Sequence, residues 1–132
     1  MKILLTQIII LLSFFGLGQE LSPADSIKQK IDRSDNASVQ IELLVELGYY
    51  YSENEIDSLF GYAHKLINLA RSEDQPCNEA IGYHYKGNYF SPKGEYDDAL
   101  SFYKKSMTLR ERHCDIEKVA SSAAQIGNVN AR

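Results

Sequence analysis

From Ala37 onward the apolar residues step by three and four. Leu43, Leu44, Leu47 and Tyr51 form one helical stripe, and Leu59, Tyr62, Ala63, Leu66 and Leu69 form a second over about Ile56 to Ala70. Ser52-Glu53-Asn54-Glu55 reads as the turn between them, and Arg71 to Pro76 as a polar loop closed by a proline. A third helix is predicted from about Cys77 to Phe90, followed by the turn Ser91-Pro92-Lys93-Gly94. The next runs from about Tyr96 to Arg112, with Ala99, Tyr103 and Ser106 on one face. After His113-Cys114-Asp115 a last helix is predicted from near Ile116 into Gly127-Asn128. Ahead of all these, Ser22-Pro23-Ala24-Asp25 signals a helix start, with serine as N-cap and proline in the first helical position. That short helix, through about Ile31, gives way to the polar Arg33-Ser34-Asp35-Asn36 turn. No segment alternates with period two for long enough to predict a strand, so the expected class is all-α.

The helices also repeat. Gly48, Gly87 and Gly127 recur at intervals of 39 and 40 residues, each at the same place in a similar pattern. A period in this range is the mark of a stacked-helix solenoid. Such folds usually hold other proteins, and their binding surfaces follow from the stacking. Gly61 interrupts the second helix, where glycine costs about 1 kcal/mol against alanine, so the first repeat is the less regular one.

The middle unit carries a recognisable set of residues. Tyr83, Gly87 and Phe90 lie in its first helix, Gly94 in the turn, and Ala99, Tyr103 and Ser106 in its second helix. With the run Gly94-Glu95-Tyr96-Asp97-Asp98-Ala99-Leu100, this resembles the tetratricopeptide repeat (TPR). Lys86 stands where the family usually has leucine, a departure expected to weaken the inner stripe. The first repeat matches through Leu44, Leu47, Gly48 and Tyr51, and through Leu59, Ala63 and Leu66 if its turn is one residue shorter. The third is represented by Ala123, Ile126 and Gly127, with Asn130 where an aromatic belongs. The resemblance implies a right-handed α-α superhelix of antiparallel helix hairpins. Its domain plan is a leading helix and turn over 19–36, a degenerate repeat over 37–75, a second repeat over 76–115, and the first helix of a third over 116–132. The spacing is slightly longer than the family's ~34 residues. With the leading segment, the chain is similar to the amino-terminal regions of exported TPR signalling proteins of the Bacteroidota. The pattern stops inside a third repeat, which leads us to expect a piece of a longer protein; a helix adapted as a polar terminal cap is the alternative.

Residues 1–18 read differently. Met1-Lys2 is a short positive end, Ile8 to Phe15 an apolar core, and Gly16-Leu17-Gly18 a small-residue site for cleavage before Gln19. This pattern predicts a secretory signal peptide and a periplasmic or secreted product. The run is short for a membrane span, which needs roughly 20 apolar residues. A membrane association is therefore expected only if the segment stays uncleaved or the chain belongs to a larger membrane protein. Export permits a disulfide between Cys77 and Cys114. They lie 37 residues apart, near one repeat length, and equivalent turns of neighbouring repeats are about 10 Å apart. A bridge needs Cα atoms within about 7 Å, so the expectation is two partly exposed thiols unless the turns lean together. Neither cysteine shows metal-ligand spacing with His64, His84 or His113, so no metal is expected. Asn36-Ala37-Ser38 has the form of a glycosylation acceptor, relevant only in a eukaryotic secretory route.

Charge narrows the function further. The chain has 14 basic and 18 acidic residues, a net −4, with no basic face for nucleic acid. Lys104-Lys105 with Arg110 and Arg112 reads as a solvated helix face. No nucleophile–base arrangement or phosphate-binding glycine loop is present, so neither catalysis nor a cofactor is expected. In TPR domains the first helices of the repeats line the binding face, which here offers Ile81, His84, Asn88 and Ser91, with Val45 and Tyr49 before them and Ala124 and Asn128 after. Asn88 and Asn128 match part of the family's carboxylate clamp, but His84 and Ala124 stand where its cations belong. A clamp without cations cannot make charge-assisted bonds to a carboxylate, so a general peptide groove is the reading kept. Tyr51, Tyr83 and Phe90 take packing positions, leaving Tyr49, Tyr85 and Tyr89 to contact a partner. The candidate partner-binding residues are thus Tyr49, His84, Tyr85, Asn88, Tyr89 and Asn128. The expected function is a non-catalytic scaffold for a protein or peptide. The alternatives are the sensory front of a membrane-bound TPR histidine kinase or transcriptional regulator, and a remnant too short to be stable.

Overall fold

The computed structural model describes residues 20–115 of the 132. Five α-helices fill almost all of this span: α1 Pro23–Arg33, α2 Ala37–Asn54, α3 Ile56–Ser72, α4 Pro76–Phe90 and α5 Tyr96–His113. A 3-10 turn, Ser91–Lys93, joins the last two, and no strand occurs among the described residues. The class is all-α. The apolar leader 1–18 and the last expected helix, including Gly127 and Asn128, lie outside the described residues.

The ends of the helices follow from their capping groups. Ser22 Oγ accepts from the Asp25 N–H at 3.1 Å, and Pro23 begins α1. Asn36 of the expected glycosylation triplet caps α2, its side chain accepting from the Val39 N–H at 3.2 Å. The turn expected over Ser52 to Glu55 shrinks to Glu55 alone, because Ser52 and Asn54 continue α2. Ser52 Oγ donates to the Gly48 carbonyl at 2.9 Å and Asn54 Nδ2 to the Tyr50 carbonyl at 2.8 Å, so these polar side chains bond the helix they were expected to end. Between α4 and α5 the chain reverses through Gly94 at φ 78, a left-handed conformation that favours glycine.

Each helix packs antiparallel to the next. Across α4 and α5, Ser106 Oγ donates to the Ala80 carbonyl near one end, and Tyr103 Oη to Asn88 near the other. Across α3 and α4, Arg71 meets Glu79 while Phe60 meets Tyr89 and Phe90. Tyr51 stacks on Tyr62 between α2 and α3. A second layer of contact joins α2 directly to α4, which run parallel. Gln75, just before α4, donates to Ser38, 37 residues earlier; Tyr85 donates to the Val45 carbonyl, 40 residues earlier. The core gathers Ile41, Leu44, Leu47, Tyr51, Leu59, Ala63, Leu66 and Ala70, extended by Tyr85, and a smaller group around Ala99 and Tyr103 lies between α4 and α5. Tyr83 and Phe90, expected at packing positions, are only partly buried.

Two of the repeat glycines are points of closest approach. A Cβ on Gly48 would stand 2.6 Å from Tyr85 Cδ2, and one on Gly87 would stand 2.5 Å from Tyr103 Cδ1. Gly61, by contrast, faces open space, with nothing within 4 Å of such an atom.

The cysteines overturn an expectation. Cys77 and Cys114 are disulfide-bonded, with Cα atoms 5.7 Å apart. They are not equivalent turns of neighbouring repeats. Cys77 sits in the first turn of α4 and Cys114 caps the end of α5, and antiparallel packing brings those two ends together. The bridge therefore closes the open end of one hairpin.

Two stability measurements check this account. In thermal or urea unfolding, Gly61→Ala is expected to stabilise the chain by about 0.5–1 kcal/mol. Gly48→Ala and Gly87→Ala should each destabilise it by about 1–3 kcal/mol through overpacking. Reduction of the disulfide should remove about 3–4 kcal/mol, the loop-closure entropy of a ring of this length. A reduced chain that melts with the oxidised one would contradict that role.

Candidate partner-binding face

The exposed side of α2 carries one uninterrupted stripe. Glu42, Glu46, Tyr49 and Glu53 are all exposed and follow each other by four, three and four residues. Tyr49 is 66% exposed, and no lysine or arginine occurs in α2 to offset the three carboxylates. The stripe borders Val45 and Ser52, the residues α2 turns toward α4. A shallow cleft of about 300 Å³ lies at its end, lined among others by Ser52, Glu53, Asn88, Ser91 and Tyr103.

The six residues singled out from the sequence do not stay together. Tyr49 is exposed on the stripe. Asn88 is half-buried in the cleft and already accepts a hydrogen bond from Tyr103 Oη at 2.8 Å. His84 lies one turn earlier, against the Tyr103 ring at 5.4 Å between centroids. Tyr89 belongs to another surface, packed on Phe60 and Phe90 with the Lys93 ammonium 4.7 Å over its ring. Asn128 lies outside the described residues. Tyr85 is a correction: it is 7% exposed, a core residue and not a free contact. Its ring fills the space beside Gly48 and its hydroxyl donates to the Val45 carbonyl at 2.8 Å, so α2 consumes both its apolar and its polar end. Burial, reinforced by Tyr49 against an opposing pull from Arg110, pushes its hydroxyl up to about 12.

His84 has the most altered chemistry of the set. Its Nδ1 is buried with no hydrogen-bond partner among the described residues. Burial, and then the Arg110 guanidinium, push its pKa down to about 4, so the ring is neutral at physiological pH. Among the described residues no group of histidine, cysteine, aspartate or glutamate side chains is placed to hold a metal ion. What this face can do is make ring contact through Tyr49, hydrogen-bond in the cleft, and attract positive charge along the stripe.

Sequence reasoning passed over Lys86. Instead of weakening a stripe it is 9% exposed, lodged between α3 and α5, with its ammonium over two aromatic rings. The signal was there to read, since it is the one charged residue in a position the family fills with leucine.

The neutral state of His84 predicts a pH dependence with a definite sign. The unfolded chain takes up the proton near the ordinary histidine pKa of about 6.5, the folded chain only near 4. Stability contributed here is complete above about pH 7 and is lost as pH falls from 6.5 toward 4, by up to about 3 kcal/mol. His84→Gln should lack that slope, as melting temperatures across pH 5–8 will show. Comparison with known proteins returns no matching family model, no matching curated protein and no matching solved structure, so the functional reading rests on residues and geometry.

Proposed function

We propose that this chain is an exported, non-catalytic TPR-type scaffold that binds a segment of another protein along the α2–α4 face. The observation that carries the reading is the parallel register of α2 and α4. Their cross-contacts are displaced by 37 and 40 residues, bracketing the 39-residue spacing of Gly48 and Gly87. Displacement by one sequence period is what stacking of successive repeats requires. The disulfide supports the exported part of the reading, because such bonds persist in oxidising compartments. The acidic stripe with Tyr49 favours a partner segment carrying basic residues, since complementary charge steers encounter and fixes register.

The test is affinity capture from the native envelope by the full chain, beside a Tyr49→Ala/Glu46→Lys variant. Both residues are exposed, so the variant is expected to melt within about 0.5 kcal/mol of the parent. A partner held by the parent and lost by the variant is the expected result. Equal capture by both would remove the binding role from this face.

A further inference from the structure

A second surface lies on the other side of α4. Residues two apart on a helix differ by about 200° around its axis, so Lys86 and the pair His84 and Asn88 point in opposite directions. On the Lys86 side, aromatic rings from three helices form a connected ladder. Tyr83 stacks on Phe102 at 6.3 Å, Phe102 on Phe90 at 5.6 Å, and Phe90 meets Phe60 and Tyr89 at 5.8 and 5.0 Å.

Lysines lie over this ladder. Lys86 Nζ is 4.6 Å from the Phe60 ring centre and 5.4 Å from that of Phe102; Lys105 Nζ is 5.3 Å from Phe102 and 5.7 Å from Tyr83. Two other cations nearby are neutralised: Arg71 holds Glu79 at 2.7 Å, and Lys93 holds Asp57 at 2.6 Å. Lys86 and Lys105 have no such partner among the described residues. Among the described residues the Lys86 ammonium lies 3.4 Å from His64 Nδ1, a group without negative charge. This happens in a chain with more acids than bases, where a carboxylate neighbour is easily come by. A buried charge is ordinarily paired. Burial, with Lys105 and Arg71 nearby, holds the Lys86 ammonium below the usual lysine range, so its charged form lacks a compensating anion.

Beside the ladder is a cleft of about 440 Å³ between α4 and α5, lined by Glu79, Tyr83, Lys104, Lys105, Thr108 and Leu109. Its one carboxylate, Glu79, is taken up by Arg71 through two bonds of 2.7 and 3.0 Å. What remains is an apolar floor of Tyr83 and Leu109 with Lys104 and Lys105 in its wall, and with Lys86 close by over the Phe102 ring.

We propose that this α3–α4–α5 face docks a short acidic segment of a partner protein, one that carries an aromatic or apolar side chain between its carboxylates. The apolar side chain enters the cleft over Tyr83, and the carboxylates accept hydrogen bonds from Lys86 and Lys105, whose ring contacts leave N–H donors unused. A concave site of this size suits a peptide. A membrane would call for protruding apolar groups, and of the ladder rings only Phe60 is exposed, at 37%, the others being half-buried. A net charge of −4 opposes an extended polyanion such as nucleic acid.

The experiment is fluorescence anisotropy with the oxidised full chain and a labelled peptide of repeating Glu-Glu-Phe units. Binding is expected, and should weaken at least about tenfold when glutamine replaces glutamate in the peptide, and at least about tenfold in Lys86→Met and in Lys105→Gln. Lys86→Met should meanwhile melt no lower than the parent, since it removes an unpaired buried charge and keeps the volume. The Tyr49→Ala/Glu46→Lys variant should bind the peptide as the parent does, which separates this surface from the α2–α4 face. Failure of the folded parent to bind, unchanged affinity in Lys105→Gln, or binding to phosphatidylserine vesicles without binding to the peptide would each overturn the proposal. If Lys86→Met does not fold, Lys105→Gln and the glutamine peptide decide the matter.

Discussion

Two tyrosine rings occupy the space that the repeat glycines leave open, and the spacing of the helices around them depends on it. Tyr85 lies over Gly48 and ties α4 to α2, while Tyr103 lies over Gly87 and ties α5 to α4. In each case the ring supplies contact area where a Cβ would have held the helices apart, and the hydroxyl reaches a backbone or amide acceptor beyond. The two contacts are not copies of one another. One joins two parallel helices, α2 and α4, and the other joins the antiparallel neighbours α4 and α5.

With those spacings set, α4 becomes the centre of the molecule. It contacts α2, α3 and α5, and little of its circumference remains open. The two gaps that remain face opposite ways. Toward α2 lie Asn88 and the acidic stripe, and toward α3 and α5 lie Lys86 and the ring ladder. One gap is bordered by carboxylates and the other by lysines over rings: α2 contains no base, while Lys86 of α4 and Lys105 of α5 stand over aromatic rings. Opposite potentials on opposite faces favour different partners on each, because complementary charge governs encounter and register more than it governs total affinity.

Much of this was legible in the sequence. The five described helices lie where the sequence puts them, α1 from its capping serine and proline and the others from apolar spacing, because both are local signals. The misreadings share one cause, which is that pattern specifies a face and not what stands opposite it. Tyr85 sits on the side of α4 that a repeat template leaves free, yet Gly48 on the neighbouring helix opens a space only a ring of that size fills. Lys86 violates the template, and nothing along the chain reveals that Phe60, 26 residues earlier, and Phe102, 16 residues later, converge on it. Ser52 and Asn54 are turn formers by composition, but here they bond carbonyls of their own helix.

The cysteines, expected as two thiols, were misplaced for a related reason, and the bridge they form bears on how the described helices hold together. Reading the cysteines as equivalent points one period apart puts them on neighbouring repeats, too far to join. Reading them as the two termini of one antiparallel hairpin puts them side by side, and the separation of 37 residues is simply the length of two helices and their turn. The hairpin α4–α5 has α2 and α3 behind it, and its own buried core is the smaller of the two, built on Ala99 and Tyr103. A covalent clamp joins the open end of that hairpin. It restrains the unfolded chain across α4 and α5, and it holds the two helices in the alignment that keeps Lys86 over Phe102 and Lys105 over Tyr83. The bridge thereby ties the integrity of the ring-and-lysine face to an oxidising environment.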